Sequence, residues 1–177
     1  MTWSGDGLLV GGGLAVRRPT AEDVDAVFAV HGDPRTNVHN PAGPDRDRAA
    51  SAARLHGWLE HSEEHGFGYW AVELADAPGV VGFTGVQHAR WLDRPVLNLY
   101  YRYAAEHWGR GYATAGARHA VAWAAVHHPA LPVLAYTTLD NIASQRTAAA
   151  AGLVRRPDLE VELNGLHAVV LVSSWSA

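Results

Sequence analysis

Two hydrophobic periods divide the chain, and their order limits the folds open to it. Between residues 69 and 103 the apolar residues come in strand-length runs rich in valine, phenylalanine, tyrosine and tryptophan, separated by turn residues. Residues 69–75 read as one strand, 76–79 as a turn, 80–88 as its hairpin partner, and 96–103 as a third strand after a loop at 91–94. Beyond Tyr103 the pattern becomes helix, strand, helix, strand. A helix is expected near 113–127 and a strand over 133–138. A short helix capped by Asp140 or Asn141 should end at Gly152, with closing strands near 159–163 and 166–173. Asn164-Gly165 joins the last two with the strongest two-residue hairpin signal. Hairpins followed by helix–strand alternation call for a mixed α/β domain.

Upstream, residues 1–13 are Gly-rich and read as a flexible leader, and 14–177 as a single domain. Residues 14–18 alternate as a first strand would. Thr20 caps a following helix, with Asp23 completing a capping box, Val24, Val27 and Phe28 on one face, and Gly32 at its end. Residues 33–45 hold three prolines and no periodicity. A second helix over about 47–65 offers Ala50, Ala53, Leu55, Trp58 and Leu59 for packing.

Composition narrows the function. Of 177 residues 48% are hydrophobic and 18% charged, enough apolar side chain to close a core. The net charge is -4, against a nucleic-acid partner that is held by phosphate neutralisation. With no cysteine, disulfides, thiolate metal sites and a cysteine nucleophile are excluded. No apolar run has bilayer length and the first residues lack a signal-peptide pattern, so a soluble cytoplasmic protein with no membrane partner is expected.

The most informative segment is Glu106-His107-Trp108-Gly109-Arg110-Gly111-Tyr112-Ala113-Thr114. A strand enters a turn with two glycines one residue apart, and a long helix starts at once. Such a turn presents unpaired backbone N–H groups and the positive end of a helix dipole to an anion. Arg110 adds a local cation. An NTPase phosphate loop is excluded because it needs a lysine and the chain has none. A dinucleotide fold would place its glycines after an early strand, and here they come late.

The run HWGRGYAT, the strand end Tyr136-Thr137-Thr138, the segment Asp140-Asn141-Ile142-Ala143-Ser144 and Ala151-Gly152-Leu153 together resemble the GCN5-related N-acetyltransferase (GNAT) superfamily. Trp108 ahead of the glycine turn and the Asn141/Ser144 pair resemble its RimJ/RimL-like branch, the ribosomal-protein N-terminal acetyltransferases. The resemblance spans nearly the whole chain. It implies a central twisted, mostly antiparallel sheet of about seven strands with one splayed pair, flanked by about four helices. It also implies acetyl-CoA as cosubstrate, with no metal. By position, Trp108, Gly109, Arg110, Gly111, Tyr112, Ala113 and Thr114 would cradle the pyrophosphate, and Tyr101, Arg102 and Tyr103 would hold the pantetheine arm through their backbone. Asn141 would contact the pantetheine, and Ser144 would lie near the thioester sulfur. The branch often dimerises, and Trp91 or the last strand would serve as a homodimer contact.

Acetyl transfer to an amine requires a neutral amine, a donor for the developing oxyanion and a proton for the leaving thiolate. A backbone N–H near Arg102 or Tyr103 meets the second need, and the Ser144 hydroxyl, too weak an acid to act alone, would donate a hydrogen bond to the thiolate or relay a proton through water. The base is open. Relatives often carry glutamate where this chain has Asn98, which takes no proton, so water, the solvent or a histidine must serve. His31, His39 and His88 lie in segments expected to face an acceptor groove. His61 and His65, spaced four apart, approach a helical zinc pattern, but Ser62 stands where glutamate is needed and a solvated helix end is the better reading. Three functions remain: acetylation of a peptide or protein N-terminal amine, acetylation of a small amine (amino acid, polyamine or antibiotic), and non-catalytic CoA binding. Asp33, Glu73 and Asp93 would favour a cationic acceptor if they lined the groove.

Overall fold

The computed structural model describes residues 8–163 and 165–175. The chain runs β1 (Leu8–Val10), β2 (Leu14–Arg17), α1 (Val24–His31), α2 (Arg48–His65), β3 (Tyr69–Leu74), β4 (Ala77–Trp91) and β5 (Arg94–Tyr103). It continues through α3 (Tyr112–His127), β6 (Val133–Thr138), α4 (Ile142–Ala150), β7 (Val154–Arg155), β8 (Val161–Leu163) and β9 (Leu166–Val172). The strands form one sheet in the order β1-β2-β3-β4-β5-β6-β9-β7, with β8 also paired to β9. Every pairing is antiparallel except β5 with β6. The mixed α/β class and the four α-helices follow expectation, and the sheet has nine strands among the described residues rather than about seven. Two short strands, β1 and β7, make the difference. Residues 8–13, read as flexible leader, instead form β1 and its turn into β2. The rest of that leader, and Asn164 of the last hairpin, lie outside the described residues.

Helices cover both faces of the sheet, so its central strands are apolar on both sides. Trp70 and Val72 of β3 enter the layer against Ala117, Ala120 and Ala124 of α3. Tyr69 and Ala71 enter the layer with Val24, Val27, Leu55 and Trp58 of α1 and α2. Gly116 permits the close approach of α3: a Cβ there would overlap the Tyr103 hydroxyl and the Thr84 side chain.

Several boundaries moved for identifiable reasons. The β3–β4 turn is shorter than 76–79, because Glu73 pairs with Val80 and Leu74 with Ala77, leaving Pro78 and Gly79 as a bulge outside the ladder. The loop at 91–94 is a two-residue hairpin. Leu92 and Asp93 take positive φ values of 47° and 61°, a conformation that aspartate tolerates but leucine does not signal. On α1 the buried face is Val24, Val27, Val30 and His31, while Phe28 is exposed. On α2, capped by Asp47 through the Ala50 N–H at 2.8 Å, Ser51, Leu55, Trp58 and Ser62 are buried in place of Ala50 and Ala53.

One ion cluster ties the first elements together. Arg17 of β2 donates two bonds to Asp23 at 2.8 and 2.7 Å and one to Glu73 of β3 at 2.9 Å. Burial would raise the Asp23 carboxyl, but these bonds hold it below its ordinary value. Glu73 therefore belongs to the far part of the sheet, away from any acceptor groove.

His31 is a core residue, only 2% exposed, packed against Trp58 and Phe83 and stacked on Tyr100. The Tyr100 hydroxyl lies 2.8 Å from its Nε2. Burial first, then the Arg102 and Arg54 charges, push its pKa down from 6.5 to about 3. It is no groove-facing base. Between those two values the unfolded chain takes a proton that the folded one refuses, so the group's contribution to stability is lost as pH falls through the window. His31→Phe should therefore lose less stability than the parent between about pH 7 and about pH 4, measured by urea unfolding. Equal losses would show that His31 protonates freely in the fold.

Candidate functional site

The parallel pairing of β5 with β6 lasts for two residue pairs only, Leu97 with Val133 and Asn98 with Leu134. Beyond them the strands diverge. The far edge of β5 remains paired to β4 as far as Tyr103, and that of β6 to β9 as far as Thr138. The two inner edges therefore face a gap with backbone N–H and C=O groups that have no strand partner there. A cavity of about 790 Å³ fills this gap and continues to the start of α3.

Twelve of the thirteen site residues read from the sequence line this cavity: Asn98, Tyr101, Arg102, Tyr103, Trp108, Gly109, Gly111, Tyr112, Ala113, Thr114, Asn141 and Ser144. Arg110 is exposed and is not among the lining residues. Gly109 and Gly111 take φ values of 74° and 79°, where a side chain is strained, and a Cβ on either would project into open space. No side chain caps α3, so its first N–H groups are left for a ligand. Trp108 is half exposed, its indole N–H donating to the Tyr103 carbonyl at 2.9 Å.

On the opposite wall Asn141 caps α4, its Oδ1 accepting from the Ser144 N–H at 3.1 Å. The side-chain amide N–H₂ of Asn141 is not used in that cap. The Tyr101 hydroxyl donates to the Ser144 carbonyl at 2.9 Å and lies 3.0 Å from Ser144 Oγ. Burial raises the Tyr101 pKa, so the phenol stays protonated. This side-chain role of Tyr101 escaped sequence reading, which assigned it a backbone role. Only the tertiary fold brings Tyr101 and Ser144 together.

Asn98 sits where the strands part, its amide donating to the Tyr69 hydroxyl at 2.8 Å. The neighbouring wall comes from the segment between α1 and α2, which sequence reading left as turn. Arg102 bonds the buried Asn37 side chain at 2.5 Å. Arg35 bridges Asp33 and Glu106, and His39 approaches Asp140 at 3.3 Å. Of the three histidines weighed as bases, His39 alone lines the cavity. His88 faces His61, His65 and His128 instead, and burial with the nearby His65 and His128 lowers its pKa.

Among the described lining residues none is aspartate or glutamate, whereas Arg35, Arg102, His39, His107 and His167 all contribute. The expected acidic groove does not exist. Asp33 is tied to Arg35, Glu73 to Arg17, and Asp93 sits in the β4–β5 turn. The expected dimer contacts are also spoken for within the chain. Trp91 is buried and donates to the Leu159 carbonyl at 2.9 Å, and β9 is paired on both edges. No helix among the described residues is long and apolar enough to cross a membrane.

Solved structures share the architecture. An acetyltransferase from Agrobacterium tumefaciens aligns with a TM-score of 0.79 at 21% identity, covering 99% of this chain and 98% of that one. RimL, a ribosomal L7/L12 α-N-protein acetyltransferase in complex with coenzyme A, aligns at 0.75 and 12% identity over 94% and 97% of the two chains. Spermidine N-acetyltransferase from Vibrio cholerae, in complex with CoA and spermine, aligns at 0.71 and 12% identity over 92% and 95%. The sequence model of the acetyltransferase (GNAT) domain matches residues 14–154. The splayed strands, the glycine turn and this match together place the chain in the GNAT acetyltransferase family, as an acetyl-CoA-dependent enzyme.

Proposed function

We propose that the protein is an N-acetyltransferase of the RimJ/RimL-like branch, built as one domain that includes β1, whose acceptor is a primary amine of low pKa such as a peptide or protein N-terminal α-amine. The observation that carries this reading is the cavity without a carboxylate, walled in part by Arg35 and Arg102. A polycationic acceptor would find no carboxylate in the lining, the nearby Asp33 and Glu106 being already paired with Arg35, and a lysine amine would have no strong base to deprotonate it. An α-amino group, with a pKa of about 7.7 to 8.0, is substantially neutral near pH 8, while a lysine amine at about 10.4 is not.

In this reading the pyrophosphate of acetyl-CoA lies against the N–H groups of Gly111 to Thr114, with Gly109 and Gly111 allowing close approach. The pantetheine arm follows the unpaired edge of β5, beside Tyr101, Arg102 and Tyr103. A β5 amide near Arg102 or Tyr103 polarises the thioester carbonyl. The amine nitrogen attacks, and the C–S bond breaks with the electron pair leaving on sulfur. Ser144 donates a hydrogen bond to the departing thiolate and relays its proton from water, while the Tyr101 hydroxyl, bonded to the Ser144 carbonyl and 3.0 Å from Oγ, positions it. The amine's own proton leaves through water near Asn98.

The pH profile tests the acceptor assignment. For an N-terminal peptide, kcat/KM should rise with pH and level off near the peptide's own amine pKa, and Asn98→Glu should be tolerated or raise activity below about pH 7. Spermidine and lysine side chains should be poor acceptors at the same pH. A preference for spermidine, or a lower limb near pH 6 abolished by His39→Ala, would overturn the reading.

The glycine turn is tested by calorimetry. Gly111→Val should weaken acetyl-CoA binding at least about tenfold, or about 1.4 kcal/mol. Because valine is also strained at that φ, Thr114→Asp provides a second probe: a carboxylate in the first turn favours the helix but repels a phosphate. It should weaken binding with no loss of thermal stability, and Arg110→Ala should weaken it less than either. Unchanged affinity in both folded variants would remove this turn from the site.

Ser144→Ala should lower kcat while leaving the acetyl-CoA dissociation constant within a few-fold. Asn141→Ala should change both, since it loses a helix cap as well as a ligand contact. Full kcat in Ser144→Ala, with chemistry rate-limiting, would exclude the leaving-group role.

A further inference from the structure

The fold gathers a set of histidines that the acetyl-CoA cavity does not use. His61 and His65 are spaced one turn apart near the C-terminal end of α2, and β4 brings His88 up to them. One ring nitrogen from each residue can be chosen so that all three lie within 4.8 Å of one another. The ring centroids are 4.5 Å apart for His61 and His65, 4.7 Å for His65 and His88, and 5.8 Å for His61 and His88. None of the three lines the 790 Å³ cavity.

Two features distinguish this cluster from histidines scattered on a surface. His61 is oriented: its Nδ1 lies 3.0 Å from the Phe67 carbonyl, which places the proton on Nδ1 and the lone pair on Nε2. That is the arrangement by which a backbone carbonyl positions a metal-ligating imidazole. The Nε2 lone pair now accepts the His88 backbone N–H at 3.0 Å, so coordination would exchange one amide contact for a metal bond. The second feature is the floor. Buried Phe67 lies 5.4 Å from the His61 ring and 4.9 Å from the His88 ring, and the His128 ring is tilted against it at 4.4 Å. The floor limits where the rings can turn, while His65 and His88 remain open to solvent.

We propose that His61, His65 and His88 form a binding site for a divalent transition metal, separate from the acetyl-CoA site. Three neutral imidazoles with no thiolate select zinc, nickel, cobalt or copper over magnesium and calcium, which prefer oxygen ligands. Zinc needs N–Zn bonds of about 2.0 to 2.1 Å, so the three rings close inward by small side-chain rotations. Water fills the remaining position. The segment H-S-E-E-H thus supplies two ligands, and the third comes from a strand distant in sequence.

Calorimetric titration of the full, untagged and metal-stripped chain with zinc chloride tests this. The parent should bind one zinc saturably, give an absorption band in the visible with cobalt, and melt at higher temperature with zinc present. Magnesium should do none of these. His65→Ala and His88→Ala, both at exposed positions, should each weaken zinc binding at least about tenfold. His56→Ala, on an exposed turn of α2 beside Glu60, should not. Absence of saturable binding in the parent, or parent-like binding in the His65→Ala/His88→Ala double variant, would overturn the site and leave the acetyl-transfer reading untouched.

Discussion

The site depends on the short parallel contact between β5 and β6. In a sheet otherwise antiparallel, these two strands are joined through α3, and they hold together only at Leu97–Val133 and Asn98–Leu134. Each strand keeps its other edge fully paired, so the gap is held open by the rest of the sheet and does not reflect local fraying. A splayed pair costs several backbone hydrogen bonds unless something else satisfies the exposed groups. An extended ligand arm with amide groups of its own can do that. The same divergence places the start of α3, with its uncapped N–H groups, at one end of the gap and Asn98 at the other.

Charge divides the cavity's tasks. At the proposed donor end, phosphate would be attracted through backbone dipoles, since Arg110 is exposed outside the lining. At the acceptor end Asn98 is held by Tyr69, itself buried and kept neutral. A carboxylate at position 98 would have to be desolvated beside that same phenol, and its pKa would rise. An amide in this place avoids that penalty at the cost of a base. Under the proposed function, the enzyme would rely on the acceptor's own ionisation, which would tie substrate choice to amine pKa.

The donor half of the site was legible because it is built from backbone. A strand, two glycines and a helix start leave their signature in residue type, and Gly109, Gly111 and the Asn141–Ser144 spacing all lie in local sequence. The β-rich centre and the order of helices were legible for the same reason. What escaped reading is what only tertiary packing decides. His31 looked like a groove residue but is walled in by Trp58, Phe83 and Tyr100, from three different elements. The loop at 91–94 was legible, but its tight form at Leu92-Asp93 was not, because leucine does not signal the positive φ it adopts. The acidic groove failed because Asp33 and Glu73 are each taken by an arginine, Arg35 and Arg17.

The acceptor wall follows a different physical logic from the donor wall. Residues 33–43 lack a hydrophobic stripe, and side chains bonded to backbone hold them in place. Asn37 donates to the His31 and Asp33 carbonyls, both at 2.8 Å, and Asn40 to the Asn37 side chain and the Gly43 carbonyl. Asn37 is buried, so its bonds carry full weight, whereas the Arg35–Glu106 pair is exposed and the His39–Asp140 pair is long at 3.3 Å with Asp140 in solvent, and both contribute little to stability. The exposed pairs matter by position: one fastens the acceptor segment to the loop before the glycine turn, the other to the loop before α4. Because the anchor is Asn37 and the ties are weak, the segment can change its exposed residues without unfolding the domain. In the proposed reading, a sheet fixed by apolar packing holds acetyl-CoA, and a polar-bonded segment laid across it chooses the amine.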